Sequence, residues 1–418
     1  MKPLAWRWDT RFTSNATMIT TRKFRLELAG FKDFGTPTLC GEVVAGGEMV
    51  PSYTNEFWTA KQRAASNLHE VPYRACFKPQ LPRFFIERFT AKGELVYDPF
   101  MGRGTTLVEA ALLGRNVAGC DINPLSETLV APRLRPPTQQ EVLERLESLD
   151  LSQVYEPEDD LLVFYHPETL RQIQSLRAYL MGHQLDAVDS WIRMVALTRL
   201  TGHSAGYFSV YSLPPNQAVL PIHQRRINAK RNQVPDARDV KALIAKKSNQ
   251  LSKELTPAQW TALRNTQSAL MTGSAGHTPA LADASVSLVV TSPPFLDVVN
   301  YKSDNWLRCW FLGIDASEVA ITQLKKLPAW QTVMTEVFHE LHRVLKPGGL
   351  VAFEVGEVSA GKIRLEEAVI PCGISAGMKP SLVLINAQEF TKTANCWGVD
   401  NNAKGTNTNR IVVFEKGK

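Results

Sequence analysis

The stretch "SVSLVVTSPPF", residues 285–295, runs through strand-favouring residues and then sets a hydroxyl, two prolines and an aromatic ring in a row. Two pyrrolidine rings forbid further ladder hydrogen bonding, so a strand is expected to stop at Ser292. Proline nitrogens carry no hydrogen, and the turn is left offering acceptors: the Ser292 hydroxyl and the Pro293 carbonyl, with Pro294 completing it. Two acceptors suit an NH2 group, which has two protons to give. Gripping both protons draws the lone pair of an exocyclic amine out of conjugation and aims it at an electrophile, while Phe295 stacks on the ring that bears the amine. The catalytic set expected is therefore Ser292, Pro293, Pro294 and Phe295. Taken by itself, the segment also reads as a proline-terminated strand with a core phenylalanine.

A second stretch supplies a ligand for that chemistry. "ELVYDPFMGRGTT", residues 94–106, is a short apolar run ending in Asp98-Pro99-Phe100, followed by Gly102, Gly104 and a helix opening at Thr105 and Thr106. Glycines let the backbone turn sharply and approach a ligand, and the helix start presents free N–H groups. "NVAGCDINP" then reads as a second strand ending on Asp121, with Asn123 beyond it, and Asp121 stands 19 residues after Gly102 (121 − 102). A carboxylate so placed accepts protons from both ribose hydroxyls. Leu107 occupies the third-glycine position of a dinucleotide loop, and no Gly-Lys-Ser/Thr comes after it as in a phosphate-cradling loop. An adenosyl ligand without phosphates remains. A tight turn and a strand-end acid are the plainer alternative.

These residues need a frame that brings them together. Strand, glycine turn, helix and strand open an α/β sheet, whose ligands bind beyond the carboxyl ends of the strands. Ser292 to Phe295 therefore project toward the crevice of Asp98 and Asp121. Residues 131–270 change character, with helices expected at 138–149, 167–181 and 185–200, and read as an inserted lobe. Beyond it the pattern predicts a helix over 331–349 stopped by Lys346-Pro347-Gly348-Gly349, a strand over 350–358, and an antiparallel pair from "PSLVLINAQEF" and "NRIVVFEK". The domain reading is an arm at 1–66, a catalytic domain from 67–130 and 271–418, and the lobe at 131–270.

The chain has 418 residues, 44% hydrophobic and 21% charged, which is ordinary for a globular protein. No stretch approaches the roughly 20 apolar residues that span a bilayer, and the first residues lack an apolar signal core, so a cytoplasmic location without membrane contact is expected. Six cysteines show no C-x-x-C pair, which signals neither a metal site nor a disulfide framework. The net charge is +6, and residues 221–250 hold eight Lys/Arg against two Asp. Such an excess is either a solvated face or a phosphate-contacting one.

Glycine loop, strand-end acid and Ser-Pro-Pro-Phe together resemble the S-adenosylmethionine-dependent amino-methyltransferases of DNA, the N4-cytosine/N6-adenine family. His69, Tyr73 and "FKPQL" (77–81) match the family pattern before the loop. "NYKSDNWLRCWFLG" (300–313) and "NRIVVFEK" are similar to segments that members carry downstream of the S-P-P motif. The resemblance implies a Rossmann-like methyltransferase sheet, mostly parallel with an antiparallel C-terminal hairpin, and an inserted recognition lobe. It implies S-adenosylmethionine as cofactor, with Phe77 and Pro79 closing over its methionine end. It also implies double-stranded DNA as partner, a base flipped into the pocket, and a modification system with a cognate restriction endonuclease. Serine in the motif favours cytosine N4, with adenine N6 or an RNA amine as alternatives. Tyr207, Asn216, Arg225, Arg226, Lys230 and Arg231 in the lobe are expected to contact DNA. One departure is Gly273-Ser274-Ala275 where many members carry Gly-Asp-Ala.

Overall fold

The computed structural model describes residues 19–58, 65–73, 76–156, 158–213, 218–294, 304–315, 319, 326–358, 363–387 and 408–418. The strands are β1 (Leu39–Ala45), β2 (Glu48–Asn55), β3 (Leu95–Asp98), β4 (Asn116–Asp121), β5 (Ser268–Thr272), β6 (Val286–Thr291), β7 (Leu345–Val355), β8 (Glu357–Val358), β9 (Ile363–Arg364), β10 (Met378–Ala387) and β11 (Thr408–Lys416). Helices α1 (Thr21–Ala29), α2 (Gln80–Phe89), α3 (Thr105–Leu112) and α4 (Leu125–Leu134) surround the first parallel strands. The lobe contributes α5 (Gln139–Ser148), α6 (Pro167–Met181), α7 (Ala187–Arg199), α8 (Pro221–Arg231), α9 (Val240–Ser252) and α10 (Pro257–Asn265). After β6 come α11 (Trp306–Leu312), α12 (Leu327–Val344) and α13 (Leu365–Ser375).

A nine-stranded sheet runs in the order β1-β2-β10-β11-β7-β6-β3-β4-β5. Pairings β3–β4, β3–β6, β4–β5, β6–β7 and β2–β10 are parallel, while β11 runs antiparallel to both β7 and β10. The fold is thus the mostly parallel α/β sheet with an antiparallel C-terminal hairpin that the sequence predicted. The strand order reverses at β3, with β4 on one side and β6 on the other, and in open α/β sheets ligands bind in the crevice beyond the carboxyl ends at such a point.

Both faces of the sheet are covered, which explains why its strands read as unbroken apolar runs. Leu288, Val290, Leu350, Ala352, Ile411 and Val413 point into one core with α2, α3 and α4. Val289, Val351, Phe353, Val412 and Phe414 point into the other, against Trp330, Met334 and Phe338 of α12 and Val369 of α13. Each fully buried side chain of this size contributes about 1.5–3 kcal/mol. The lobe is not separate: Phe164, Ile173, Trp191, Val195 and Ile244 belong to the first of these cores.

The lobe helices lie close to where the sequence placed them, because their starts carry strong local signals. Thr138 and Thr256 each form a capping box, and prolines open α6 and α8. Two expectations differ from the structure. Residues 39–55, read as part of an arm, form a hairpin whose second strand pairs parallel with β10. Helix α12 ends at Val344, and Lys346 to Gly349 form the start of β7, where Gly348 has φ +76° and the register against β6 shifts.

Candidate active site

β6 and β3 lie side by side and end together. Thr291, fully buried at the end of β6, donates its hydroxyl to Asp98 Oδ1 at 2.6 Å, and Asp98 ends β3. The same oxygen accepts the Phe100 N–H at 3.1 Å. Burial pushes the Asp98 carboxyl up to about 7, against the pull of these hydrogen bonds. Pro99 is buried behind it and Phe100 is half-buried.

One strand over, β4 ends on Asp121. Its Oδ2 accepts the Gly102 N–H at 2.8 Å and its Oδ1 the Asn123 N–H at 2.8 Å. A carboxylate has about four acceptor sites, so two backbone donors leave room for the two hydroxyls of a ribose. Asp121 therefore holds the glycine loop as well as ending a strand at the crevice, a second role that its spacing alone did not reveal. Its pKa too is raised by burial, with both backbone donors opposing.

The loop itself depends on its glycines. Gly102 and Gly104 have φ of +48° and +74°, and a Cβ at Gly104 would stand 2.5 Å from the Val130 side chain on α4. Thr106 donates its hydroxyl to the Val290 carbonyl at 3.0 Å, and Thr105 accepts from Arg103 Nε at 3.2 Å. Both hydroxyls serve the protein, so what these residues offer a ligand is the free N–H groups of the first helical turn.

Residues 68–73 lie over this loop. Arg103 donates to the Val71 carbonyl at 2.9 Å, Arg133 to the Leu68 carbonyl at 3.0 Å, and Arg308 to the Pro72 carbonyl at 2.8 Å. Burial pulls fully buried Arg133 down to about 9, still protonated at neutral pH. The Asn123 amide donates to the Tyr73 hydroxyl at 3.3 Å. Phe77 is half-buried and Pro79 is the N-cap residue of α2. Ser274 is exposed beyond β5 and accepts the Gly276 N–H at 3.2 Å, while the preceding Gly273 N–H reaches the Asp121 carbonyl.

On the other side of the crevice, Ser292 comes directly after β6, half-buried. Its hydroxyl hydrogen-bonds the carboxylate of Glu354 on β7, which is 7% exposed. Glu354 Oε1 also accepts the Asn409 amide of β11 at 2.9 Å, and burial raises the Glu354 pKa. When Glu354 is ionised its carboxylate only accepts, and Ser292 is then the donor in this pair. Buried Pro293 comes next, and the Pro294 carbonyl accepts the indole N–H of fully buried Trp330 at 3.0 Å, which pins the turn. Phe295 lies outside the described residues.

The structure thus brings the ends of β3, β4 and β6 together as expected and adds Glu354, Asn409, Thr291 and Trp330. Glu354 left a trace in the sequence as a lone acid within the apolar run "LVAFEV". The arginines bonded to residues 68–72 left none, since an isolated arginine reads as surface.

The lobe residues separate into two groups. Arg225, Arg226, Lys230 and Arg231 are exposed on α8, with Arg225 paired to Asp160 at 2.8 Å and Arg231 stacked on Tyr211 at 3.8 Å. Tyr207, expected on the DNA-contacting surface, is instead buried beneath the Arg199 guanidinium, 4.2 Å from its ring centre, because that stack satisfies a cation inside the lobe. Asn216 lies outside the described residues. Among the described residues no group of side chains is arranged to hold a metal ion, the cysteines are free thiols, and no helix is long and apolar enough to cross a membrane.

Residues 45–129 match the family model described as DNA methylase. The chain is 35% identical over 77 residues to the Type II methyltransferase M.MjaII of Methanocaldococcus jannaschii, covering 18% of this chain and 14% of that one. It is 22% identical over 280 residues to the Type II methyltransferase M.BsoBI of Geobacillus stearothermophilus, covering 60% and 53%. Over 63 residues it is 36% identical to a tRNA (guanine(10)-N2)-dimethyltransferase of M. jannaschii, covering 15% and 18%. The chain spans at most about half the length of these relatives.

Proposed function

We infer from the match of residues 45–129 to the family model described as DNA methylase that this protein methylates an exocyclic amine of a base in DNA, and that the base is cytosine, at N4. The observation that carries this reading is the hydrogen bond between the Ser292 hydroxyl and the Glu354 carboxyl, beside two prolines that add no competing N–H.

The residues present fit S-adenosylmethionine. Asp121 has acceptor sites for the ribose, the loop at Gly102 to Gly104 lets the backbone come close, and Phe100 and Phe77 offer half-buried rings. When bound, the cofactor supplies an electrophilic methyl group on a sulfonium. The protein's own work is positional. Ser292 and Pro293 hold the two amine protons and so free the nitrogen lone pair, while Glu354 fixes the rotation of the Ser292 hydroxyl. Phe295 stacks on the extruded ring, whose unpairing costs a few kcal/mol. Near-attack alignment of this kind accounts for much of an enzyme's rate gain.

We assign the segment from residue 131 to the start of β5 as the target lobe, and a Type II modification system, with a partner endonuclease of the same specificity, as the setting. To test the reading, the protein is incubated with methyl-labelled cofactor and duplex DNA, and the nucleosides are separated. Label in N4-methylcytosine supports it. Label in N6-methyladenine moves the base assignment to the adenine branch. The identity to a tRNA dimethyltransferase favours one second reading, an RNA amine as acceptor, and label in tRNA with none in duplex DNA decides for it.

A further inference from the structure

Helix α8 is held to the lobe by polar side chains, with its basic residues exposed. Gln224 is its one buried residue, and polar bonds hold the helix in place. The Gln224 amide donates to the Tyr211 carbonyl at 3.0 Å and to Asn228 Oδ1 at 2.7 Å, and Asn228 donates in turn to the Val163 carbonyl at 2.7 Å. Gln233, just past the helix, also donates to the Tyr211 carbonyl and Asn228 Oδ1. At about 100° per residue, Gln224, Asn228 and Arg231 share the anchored side. The opposite side then carries Ile222, His223, Arg225, Arg226, Ala229 and Lys230, all exposed. No acid lies in the helix.

The lead-in to this helix is tied to α11. The Trp306 indole N–H donates to the carbonyls of Ala218 and Val219 at 3.2 and 3.3 Å, just before α8 begins. Trp306 opens α11, the next described helix after the Ser-Pro-Pro segment in the chain. A basic helix held by buried polar bonds with its cations left exposed is what a reader of sequence needs.

Resting on DNA as the substrate, we propose that α8 lies in the major groove of the target duplex, with Arg226 and Ile222 on base edges and Arg225 and Lys230 on phosphates. The midline of the exposed side carries Ile222, Arg226 and Ala229. Arginine pairs bidentately with guanine, an aliphatic side chain meets a thymine methyl, and a small alanine lets the helix sit deep. The flanking cations neutralise the two backbones, and the Asp160 partner of Arg225 is exposed and exchangeable for a phosphate.

The probe is a pool of duplexes with a randomised core, methylated by the protein and read by modification-sensitive sequencing, with binding measured by anisotropy over a range of salt. Arg226→Ala is expected to broaden the methylated context at one base pair, losing about 5- to 150-fold in discrimination there. Lys230→Ala is expected to weaken binding equally for all sequences and to lower the salt slope by about one. Lys253→Ala, exposed at the end of α9, serves as the control that changes neither. Cofactor affinity and melting temperature report that each variant is folded. Unchanged context with Arg226→Ala and an unchanged salt slope with Lys230→Ala, in a wild-type protein that methylates DNA, overturn the assignment of α8. A wild-type protein that methylates no duplex overturns the underlying reading instead.

Discussion

The Thr291 hydroxyl donates to the Asp98 carboxylate at 2.6 Å and joins the ends of two neighbouring parallel strands. One strand leads into the Ser-Pro-Pro turn and the other into the glycine loop. The Ser-Pro-Pro turn and the glycine loop are therefore bonded to each other through a carboxyl that burial pushes up to about 7, and this sets the first prediction.

Asp98, with its pKa raised to about 7, must lose its proton to face a cationic cofactor. Affinity for S-adenosylmethionine is expected to rise between about pH 6 and pH 8 in the wild type and to stay flat in Asp98→Asn, as measured by calorimetry. The stability effect has the opposite sign. A carboxyl raised in the folded state contributes stability below its unfolded value of about 3.9 and loses it as pH rises through about 7. Asp98→Asn is thus expected to lessen the fall in melting temperature over that window.

Ser292→Ala removes the proposed amine acceptor and leaves the strand intact. The turnover number is expected to drop about 100-fold or more, with the cofactor dissociation constant within a factor of about two. Glu354→Gln leaves Ser292 in place but no longer demands that its hydroxyl donate. An intermediate loss of about 10-fold in turnover is expected, again at constant cofactor affinity. Full activity of Ser292→Ala would remove the amine contact from the mechanism.

Gly104→Ala forces a left-handed φ on an L residue and drives its Cβ into Val130. The two costs are about 1–2 and 1–3 kcal/mol, and together are expected to lower the unfolding free energy by about 3 kcal/mol. Adding Val130→Ala relieves the collision and leaves the conformational cost. Denaturant titrations of the single and double variants measure the difference.

Tyr207→Ala leaves the Arg199 guanidinium buried without its ring. Stability is expected to fall by about 3 kcal/mol, as for other large-to-small core changes. Duplex affinity measured well below the melting temperature is expected to remain within about twofold. A selective loss of affinity would return Tyr207 to the DNA-contacting set.

The crevice was legible in the sequence because its parts are local: glycines before a helix, an acid at a strand end, prolines at another. Asp98, Gly102, Gly104, Asp121 and Ser292 stand where those signals placed them. The features that escaped depend on distant pairing. Glu354 meets Ser292 only because β7 lies beside β6, and Asn409 reaches Glu354 from β11. Tyr207 misled for the same reason, since an aromatic among cations in the sequence says nothing about which of them covers it. The hairpin at residues 39–55 was unreadable because its outer strand is exposed and mixed in character, and only its docking on β10 makes it part of the sheet.

That docking has a practical consequence for dissecting the protein. β2 covers the flank of β10, and the Asn386 side chain on β10 accepts the N–H groups of Phe57 and Trp58 just after the hairpin. A fragment trimmed to begin near His69 would uncover an apolar strand margin and leave a buried amide without those donors, inviting self-association. Split or minimal versions of this protein therefore need the early hairpin supplied, in cis or as a separate complementing piece.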